Sequence, residues 1–324
     1  SMLSCYLRES RQHFKDLRKM AETEDLKAQI RDIAKANDAV ILAHYYVDGA
    51  VQDVADFVGD SFYLAKAAKS ATQKKIVFCG VTFMGESACI LNPTKTVLLP
   101  AIDAVCPMAL MVDKADIAKM RAEYEDLAVV CYINSMADVK ALSDVCVTSS
   151  NAVKIVKNLP NKNIFFIPDG NLGRFVAEQC PDKNIILNRG HCHVHTSITA
   201  RDIEAAAREH PDAEIIAHPE CTAEVCDAAD FLGSTKELIE YVQKSPKKTF
   251  IVCTERGVEH EMKKVAPEKS FVFVGAKQIC PNMKKISLEK VRDCLLRNAP
   301  IVSVSDELRQ SAQKPLERML ALAK

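Results

Sequence analysis

Three cysteines occupy corresponding positions in a sequence that repeats itself. Each follows a Pro-x-Lys motif by 11 to 13 residues, and an apolar, strand-like run lies between motif and thiol. Thiolates that converge at one point bind a soft metal ion or an iron–sulfur cluster, and a cluster with three protein ligands leaves one iron open as a Lewis acid. The candidate ligands are Cys106, Cys192 and Cys280.

The residues alone leave two other interpretations of these thiols open. The chain has 13 cysteines, and most cysteines without a partner are small buried side chains. Zinc competes with a cluster, because histidines flank Cys192 and catalytic zinc sites combine Cys and His with an open position. Against zinc, Cys106 and Cys280 have no neighbouring Cys or His.

A second set of candidates follows the first predicted strand of each repeat. Open α/β sheets bind ligands at the carboxyl ends of their strands, where these titratable and hydrogen-bonding side chains stand. His44 and Glu220 suit acid–base chemistry, although a single buried histidine is more often structural. The strand-end candidates are His44, Tyr46, Tyr132, Asn134, His218 and Glu220.

Hydroxyl side chains stand where a loop enters a helix in each repeat, at Ser61, Ser149 and Thr235. N-capping is the simplest interpretation. Anion binding is the alternative, because helix N-termini bind phosphate and carboxylate through backbone N–H groups and the helix dipole. No P-loop and no G-x-G-x-x-G motif supports nucleotide binding.

The elements that position these residues recur at a fixed spacing. Asp56, Asp144 and Asp230 begin similar segments that lie 88 and 86 residues apart (144 − 56 and 230 − 144). Short, nearly continuous apolar runs predict parallel strands that are buried on both faces, three in each repeat.

Candidate N-caps keep the same spacing. An acidic residue three positions after the second and third of them predicts a capping box at each. The predicted helix starts are Asp25, Asp113, Thr199 and Ser287.

Alternating helices and strands predict an α/β protein whose parallel sheets carry helices on both faces. We predict three pseudo-equivalent three-layer αβα domains around a central active site. They are repeat 1 (residues 1–112), repeat 2 (113–198) and repeat 3 (199–286). Residues 287–324 are predicted to pack back on repeat 1.

Composition excludes several classes of function. The 43 basic and 43 acidic residues balance, so we expect no general affinity for nucleic acid or an anionic membrane. No apolar run is long enough to span a bilayer, and the N-terminal segment lacks the apolar stretch of a signal peptide. We therefore expect a cytoplasmic protein.

The same residues resemble the quinolinate synthase family, and the likeness extends over nearly the whole chain from about Ile30 onward. The matching motifs include Ala43-His44-Tyr45-Tyr46, Pro168-Asp169-Gly170-Asn171-Leu172-Gly173, Gly190-His191-Cys192, His218-Pro219-Glu220-Cys221 and Thr254-Glu255-Arg256-Gly257.

The resemblance implies a fold and a reaction. Members of the family condense iminoaspartate with dihydroxyacetone phosphate to quinolinate, releasing phosphate and two waters, in a triangle of three α/β domains around one [4Fe–4S] cluster. An aspartate oxidase or dehydrogenase that supplies iminoaspartate is an implied partner.

The resemblance also implies roles for the candidate residues. The three thiols become cluster ligands, and Glu220 moves protons together with Tyr46 or His195. Substrate binding falls to His44, Ser61, Tyr132, Asn134, Ser149, His218 and Thr235.

Four residues depart from the family's pattern. Gly170 stands where Lys is usual, and Thr196 stands where an acidic residue is common. Val274 and Lys277 replace a Cys-x-x-Cys motif that some members carry, which argues against a local disulfide switch. The alternative function is a non-enzymatic small-anion or zinc-binding protein of three α/β repeats.

Overall fold

The computed structural model describes residues 2–275 and 278–324, with side chains from residue 15 onward within those ranges. Lys277 lies outside the described residues. The described residues form three four-stranded parallel sheets, one in each repeat, with helices against them. The predicted α/β class with parallel sheets is confirmed.

Repeat 1 contains the sheet with strand order β2-β1-β3-β4. Strand β1 lies in the middle and is buried along its whole length, as its continuous apolar sequence predicts. The elements are α1 Met2–Ala36, β1 Ala39–His44, α2 Gly49–Val54, β2 Phe57–Gly59, α3 Ser61–Ser70, β3 Lys75–Cys79, α4 Thr82–Leu91 and β4 Thr96–Leu98.

Repeats 2 and 3 have the same topology, with strand orders β6-β5-β7-β8 and β10-β9-β11-β12. The elements of repeat 2 are α5 Lys114–Glu123, β5 Leu127–Tyr132, α6 Ala137–Ala141, β6 Val145–Val147, α7 Ala152–Asn158, β7 Asn163–Ile167, α8 Gly170–Gln179 and β8 Asn184–Leu187. Those of repeat 3 are α9 Ala200–Glu209, β9 Glu214–Ala217, α10 Ala223–Asp227, β10 Phe231–Leu232, α11 Thr235–Lys244, β11 Thr249–Cys253, α12 Val258–Val265 and β12 Ser270–Phe273.

Each sheet has one strand more than the sequence predicted. The additional strands β2, β6 and β10 lie at a sheet edge and contain only two or three residues. A segment this short shows no hydrophobic periodicity, so the pattern could not distinguish it from a loop.

The predicted helix start at Asp25 is wrong. Helix α1 runs without a break from Met2 to Ala36, so Asp25 lies in its interior. The residues before Asp25 include no Gly or Pro, and the modest helix penalty of one Asp does not end a run of good helix formers.

The other three N-caps are confirmed. At Thr199 the capping box forms with Asp202, as predicted, and Ser287 accepts a hydrogen bond from the N–H of Lys290. Asp113 caps α5 by accepting the N–H of Ala115 at 2.8 Å. The predicted box at Asp113 is wrong, because its carboxylate pairs with the second helical residue instead of the third.

The C-terminal segment contains α13 Leu288–Arg297 and α14 Asp306–Leu322. Helix α13 packs on α1. In the segment that joins α13 to α14, Val302 donates its N–H to the carbonyl of Val97 in β4 at 2.9 Å. Helix α14 contacts both α4 of repeat 1 and α6 and β6 of repeat 2.

We propose that the chain divides into three domains at the predicted boundaries, one for each sheet. Among the described helices, none combines the length and apolar character needed to cross a membrane.

Candidate active site

One cavity lies where the carboxyl ends of the three sheets meet. Its empty volume is about 680 Å³, which includes space open to solvent. Every residue that the sequence singled out for this site lines the cavity: His44, Tyr46, Ser61, Cys106, Tyr132, Asn134, Ser149, Cys192, His195, His218, Glu220, Thr235 and Cys280.

The three thiols come from corresponding loops, each after the last strand of its sheet and before a short 3₁₀ turn. Burial, together with the nearby Cys280 thiol, raises the pKa of Cys106 to about 12. Burial, Glu220 and the Cys106 thiol together raise the pKa of Cys192 well above its usual value. Thiolates at these positions would repel one another, and a bound cation relieves that repulsion. The donor set therefore fits a metal group.

The spacing of the thiols bears on the kind of metal group that they could hold. Within the part of the chain that the structure describes, the three sulfur atoms do not all lie within 4.8 Å of one another. As placed, they do not form a site for a single ion, and their spacing is compatible with a cluster of several irons. A different trio, Cys192, His195 and Glu220, does offer donor atoms within 4.8 Å.

Glu220 accepts two hydrogen bonds in the wall of the cavity. The Tyr132 hydroxyl donates to Oε1 at 2.6 Å, and His195 Nδ1 lies 2.8 Å from Oε2. Burial would raise the pKa of Glu220, but His195, His218 and the Tyr132 hydroxyl lower it to about 2. Glu220 is therefore ionised at neutral pH and able to accept a proton.

Thr254 joins two of the candidate proton-transfer residues. Its hydroxyl lies 2.8 Å from His195 Nε2 and 3.1 Å from the Tyr46 hydroxyl. The Tyr46 hydroxyl also lies 2.8 Å from Oγ1 of Thr235. A continuous chain of hydrogen bonds thus runs from Glu220 to Tyr46, across repeats 3, 2 and 1.

Sequence reasoning gave Thr254 no role, although the residue was part of a quoted motif. Its position directly after β11, at the carboxyl end of a central strand, is the signal that could have identified it. The sequence motifs also gave no role to the remaining residues that line the cavity, although Glu255 belongs to the same motif as Thr254. These residues are Asp60, Val81, Phe83, Met84, Met108, Thr148, Val194, Glu255 and Met283.

His44 and His218 have matching environments in repeats 1 and 3. The Nδ1 atom of each accepts a backbone N–H from two residues further on, Tyr46 and Glu220 respectively, at 3.1 Å. Burial lowers the pKa of both imidazoles to about 3. Both are therefore neutral with the proton on Nε2, and His218 Nε2 lies 3.2 Å from the Ser149 hydroxyl.

The N-capping interpretation is wrong for Ser61 and Thr235. Each is the first residue of its helix, α3 or α11, and the preceding Asp60 or Ser234 provides the cap. Their hydroxyls line the cavity instead. The buried Oδ1 of Asn134 has no hydrogen-bond partner among the described residues, which leaves an acceptor for a ligand.

Local contacts accommodate the two departures near Cys192. A Cβ atom on Gly170 would lie 2.5 Å from the carbonyl oxygen of Asn188, so no side chain fits there without moving this backbone. Thr196 donates its hydroxyl to the carbonyl of Cys192 at 2.9 Å. An ionised acidic residue has no proton to donate in that position.

Comparison with known proteins decides the family. Residues 28–321 match the family model described as quinolinate synthetase A protein, NadA. The chain belongs to the quinolinate synthase family.

Curated relatives are similar in sequence to this chain over nearly their full lengths. A quinolinate synthase of Fusobacterium nucleatum subsp. nucleatum is 50% identical over 298 residues, which cover 92% of this chain and 99% of the relative. The quinolinate synthase of Caldicellulosiruptor bescii is 50% identical with the same coverage. That of Methanoregula boonei is 45% identical over 94% of this chain and 100% of its own. The resemblance seen in the motifs is confirmed.

Proposed function

We propose that this protein is a quinolinate synthase of NAD biosynthesis, and that the central cavity is its active site. The reaction combines iminoaspartate and dihydroxyacetone phosphate into quinolinate, phosphate and two waters. The observation that carries the proposal is that one cavity holds three thiols from three sheets together with the ionised Glu220.

Cys106, Cys192 and Cys280 would hold a [4Fe–4S] cluster. When bound, such a cluster supplies a Lewis acid through the one iron that has no protein ligand. His195 Nδ1 lies 3.1 Å from the Cys192 sulfur and 2.8 Å from Glu220 Oε2, so its single N–H faces both groups. A hydrogen bond to a ligand sulfur adjusts the electronic properties of a cluster.

Glu220, His195 and Tyr46 would move the protons of the reaction. Loss of water requires that one group takes a proton from the substrate while another delivers a proton to the departing hydroxyl. Glu220 is ionised and suits the first task. Burial and Glu220 raise the pKa of Tyr46 well above its usual value, so its hydroxyl keeps a proton and suits the second task. The hydrogen-bond chain through His195 and Thr254 would return the proton.

Neutral donors would hold the acidic substrates. The neutral His44 and His218 would offer Nε2–H groups. Ser61 and Thr235 would add hydroxyls at the first residues of α3 and α11, where backbone N–H groups favour carboxylate or phosphate. Ser149 and Asn134 complete the proposed binding set, since both line the cavity.

An anaerobic assay tests the proposal. Protein is reconstituted with iron and sulfide and mixed with dihydroxyacetone phosphate and iminoaspartate, which an aspartate oxidase or dehydrogenase generates in the same vessel. We expect quinolinate, together with about four irons per chain. Reconstituted protein that carries the iron and forms no quinolinate would reject the proposed reaction.

The Cys192–His195–Glu220 trio gives zinc a specific alternative, because one thiolate, one imidazole and one carboxylate leave a zinc ion an open position. Metal analysis distinguishes a zinc protein from an iron–sulfur protein. One tightly bound zinc per chain after anaerobic reconstitution, with no iron, would favour a zinc protein.

A further inference from the structure

Glu255 is a buried carboxylate at the cavity wall to which the proposed reaction gives no role. It stands two residues after β11 and is fully buried. An ionised side chain is not removed from water without partners, because its desolvation is costly. The contacts of Glu255 therefore indicate what it does.

Two backbone N–H groups and one ammonium surround the Glu255 carboxylate. The N–H of Cys280 donates to Oε1 at 3.0 Å, and the N–H of Gly257 donates to Oε2 at 2.5 Å. Lys284 Nζ lies 3.2 Å from Oε1. Glu255 thus holds the main chain at the residue whose thiol is the proposed third ligand.

Lys284 extends this contact into repeat 1. Its ammonium also donates to the backbone carbonyl of Tyr46 at 2.7 Å. Tyr46 carries the hydroxyl at the end of the hydrogen-bond chain from Glu220. Glu255 and Lys284 therefore connect the loop at Cys280 (residues 278–282, the Cys280 loop) to the backbone of Tyr46, a proposed proton-transfer residue in another repeat.

Repeat 2 has a carboxyl at the corresponding position. Asp169 precedes Glu255 by 86 residues, is fully buried, and stands two residues after β7. Its Oδ1 accepts the N–H groups of Asn171 and Leu172 at 2.8 and 3.0 Å. Burial and Glu220 raise the pKa of Asp169, and the amides of Leu172, Asn171 and Cys192 oppose that rise. Repeat 2 thus has a buried carboxyl at the corresponding position, but its hydrogen bonds go to the start of α8, and its Oδ2 has no hydrogen-bond partner among the described residues.

Repeat 1 differs, because Val81 occupies this position. There the Thr82 hydroxyl donates to the carbonyl of Ala104 at 3.1 Å, two residues before Cys106. The shared fold therefore does not require the carboxyl groups that repeats 2 and 3 have at this position.

We propose, on the basis of the proposed function, that Glu255 is a positioning residue. It fixes the Cys280 loop in the geometry that holds the cluster and, through Lys284, fixes the backbone of Tyr46. Changes to groups that orient metal ligands typically alter metal affinity or activity by about 10- to 100-fold.

The test compares anaerobically reconstituted parent, Glu255→Gln and Lys284→Met proteins. For Glu255→Gln we expect iron transfer to a chelator to be about 10-fold faster or more, with an altered electron paramagnetic resonance spectrum of the reduced cluster. For Lys284→Met we expect kcat to fall about 10-fold while iron transfer stays closer to the parent, because the Cys280 N–H bond to Glu255 remains.

Glu214→Gln is the matched control in the same repeat. Glu214 accepts hydrogen bonds from Tyr241 and Ser245 and does not line the cavity. We expect parental iron transfer and an unchanged spectrum. A loss of fold stability alone would not alter the spectrum, so this readout separates positioning from a general structural role.

Unchanged iron transfer and spectrum in Glu255→Gln would overturn the proposal, and unchanged kcat in Lys284→Met would overturn the link to Tyr46. If Glu255→Gln does not fold, Glu255→Asp replaces it, with the charge kept and the side chain one methylene shorter. Parental iron transfer in Glu255→Asp would then overturn the proposal. A parent that holds iron but makes no quinolinate refutes only the reaction, whereas a parent without iron refutes both.

Discussion

At the scale of single residues, burial decides what each side chain around the cavity can do. It keeps His44 and His218 neutral, and a backbone N–H to Nδ1 sets the tautomer of each. The same burial would keep Glu220 protonated, but its contacts with His195 and Tyr132 favour the charged form. The charge of a buried side chain thus depends on its partners as well as on its burial.

Replacement of any one proposed ligand, Cys106, Cys192 or Cys280, by Ala should abolish cluster binding while the chain still folds. The thiolate is the ligand, whereas most of the core lies in the sheets. Iron analysis and circular dichroism check this. Cys221→Ala is the matched control, because Cys221 is buried and its thiol donates to the carbonyl of Cys253. Full iron content in a ligand variant would remove that residue from the set.

Glu220→Gln should retain the cluster and lose about 10²- to 10⁴-fold in turnover, the usual contribution of a positioned acid or base. Glutamine keeps the shape of the side chain but does not accept the proton. Quinolinate formation and iron content are measured together, with the exposed Glu224→Gln as control. Turnover within a few-fold of the parent would reject the proton-transfer role.

At the scale of elements, two recurring residues explain why the repeats are visible in the sequence. Asp56, Asp144 and Asp230 each accept the N–H of a residue in the first strand of their sheet, at 2.7, 2.7 and 2.8 Å, and thereby hold the short edge strand in place. The Lys of each Pro-x-Lys motif donates to the carbonyl that ends a helix: Lys95 to Ala71, Lys183 to Leu159 and Lys269 to Ser245. Such contacts stabilise helix C-termini.

Asp230→Ala should lower the free energy of unfolding of the cluster-free protein by on the order of 0.5–1.5 kcal/mol, because the N–H of Ile215 loses its side-chain acceptor. Chemical denaturation measures the change. Asp212→Ala, at an exposed position of the same repeat, should have an effect within about 0.5 kcal/mol. An equal effect in the two variants would show that the recurring aspartate has no special structural role.

At the scale of the whole molecule, the three repeats are not joined alike. The core of repeats 1 and 2 is one continuous hydrophobic cluster that includes α13 and α14, whereas repeat 3 has separate clusters on the two faces of its sheet. Repeat 1 meets repeat 3 through Tyr45 and Tyr46, which pack against one of these clusters, and through polar contacts. Asp53 of repeat 1 lies 2.7 Å from His260 Nε2 and 3.0 Å from Lys264 Nζ, both on α12.

Asp53→Asn should make the stability of the cluster-free protein less sensitive to acid. Burial would raise the pKa of Asp53, but hydrogen bonds from Lys27, His260 and Lys264 hold it well below its ordinary value of 3.8. A depressed pKa adds stability that is fully present above the unfolded-state pKa, about 3.9, and is lost as the pH falls through the folded-state pKa.

The stability difference between parent and Asp53→Asn should therefore shrink as the pH falls below about 4. Denaturation at a series of pH values measures it, with the exposed Asp32→Asn on α1 as control. A difference that grows as the pH falls would contradict the assignment.

The sequence by itself determined the features that depend on local chemistry and register. Repetition at 88 and 86 residues predicted three similar α/β units and put Cys106, Cys192 and Cys280 at corresponding strand ends. Capping chemistry located the starts of α5, α9 and α13, because an N-cap acts within one helical turn. The sequence motifs indicated the quinolinate synthase family. Edge strands of two or three residues escaped the pattern, since they are too short to show periodicity.

Only the tertiary structure decided how the repeats meet. The chain from Glu220 through His195 and Thr254 to Tyr46 links residues as far as 208 positions apart, and nothing local to any of them encodes the others. The same holds for Glu255 and Lys284, and for Gly170 beneath the carbonyl of Asn188. Local pattern encodes contacts within an element, whereas side chains that meet across sheets are brought together by packing of the whole chain, and burial there sets their charge.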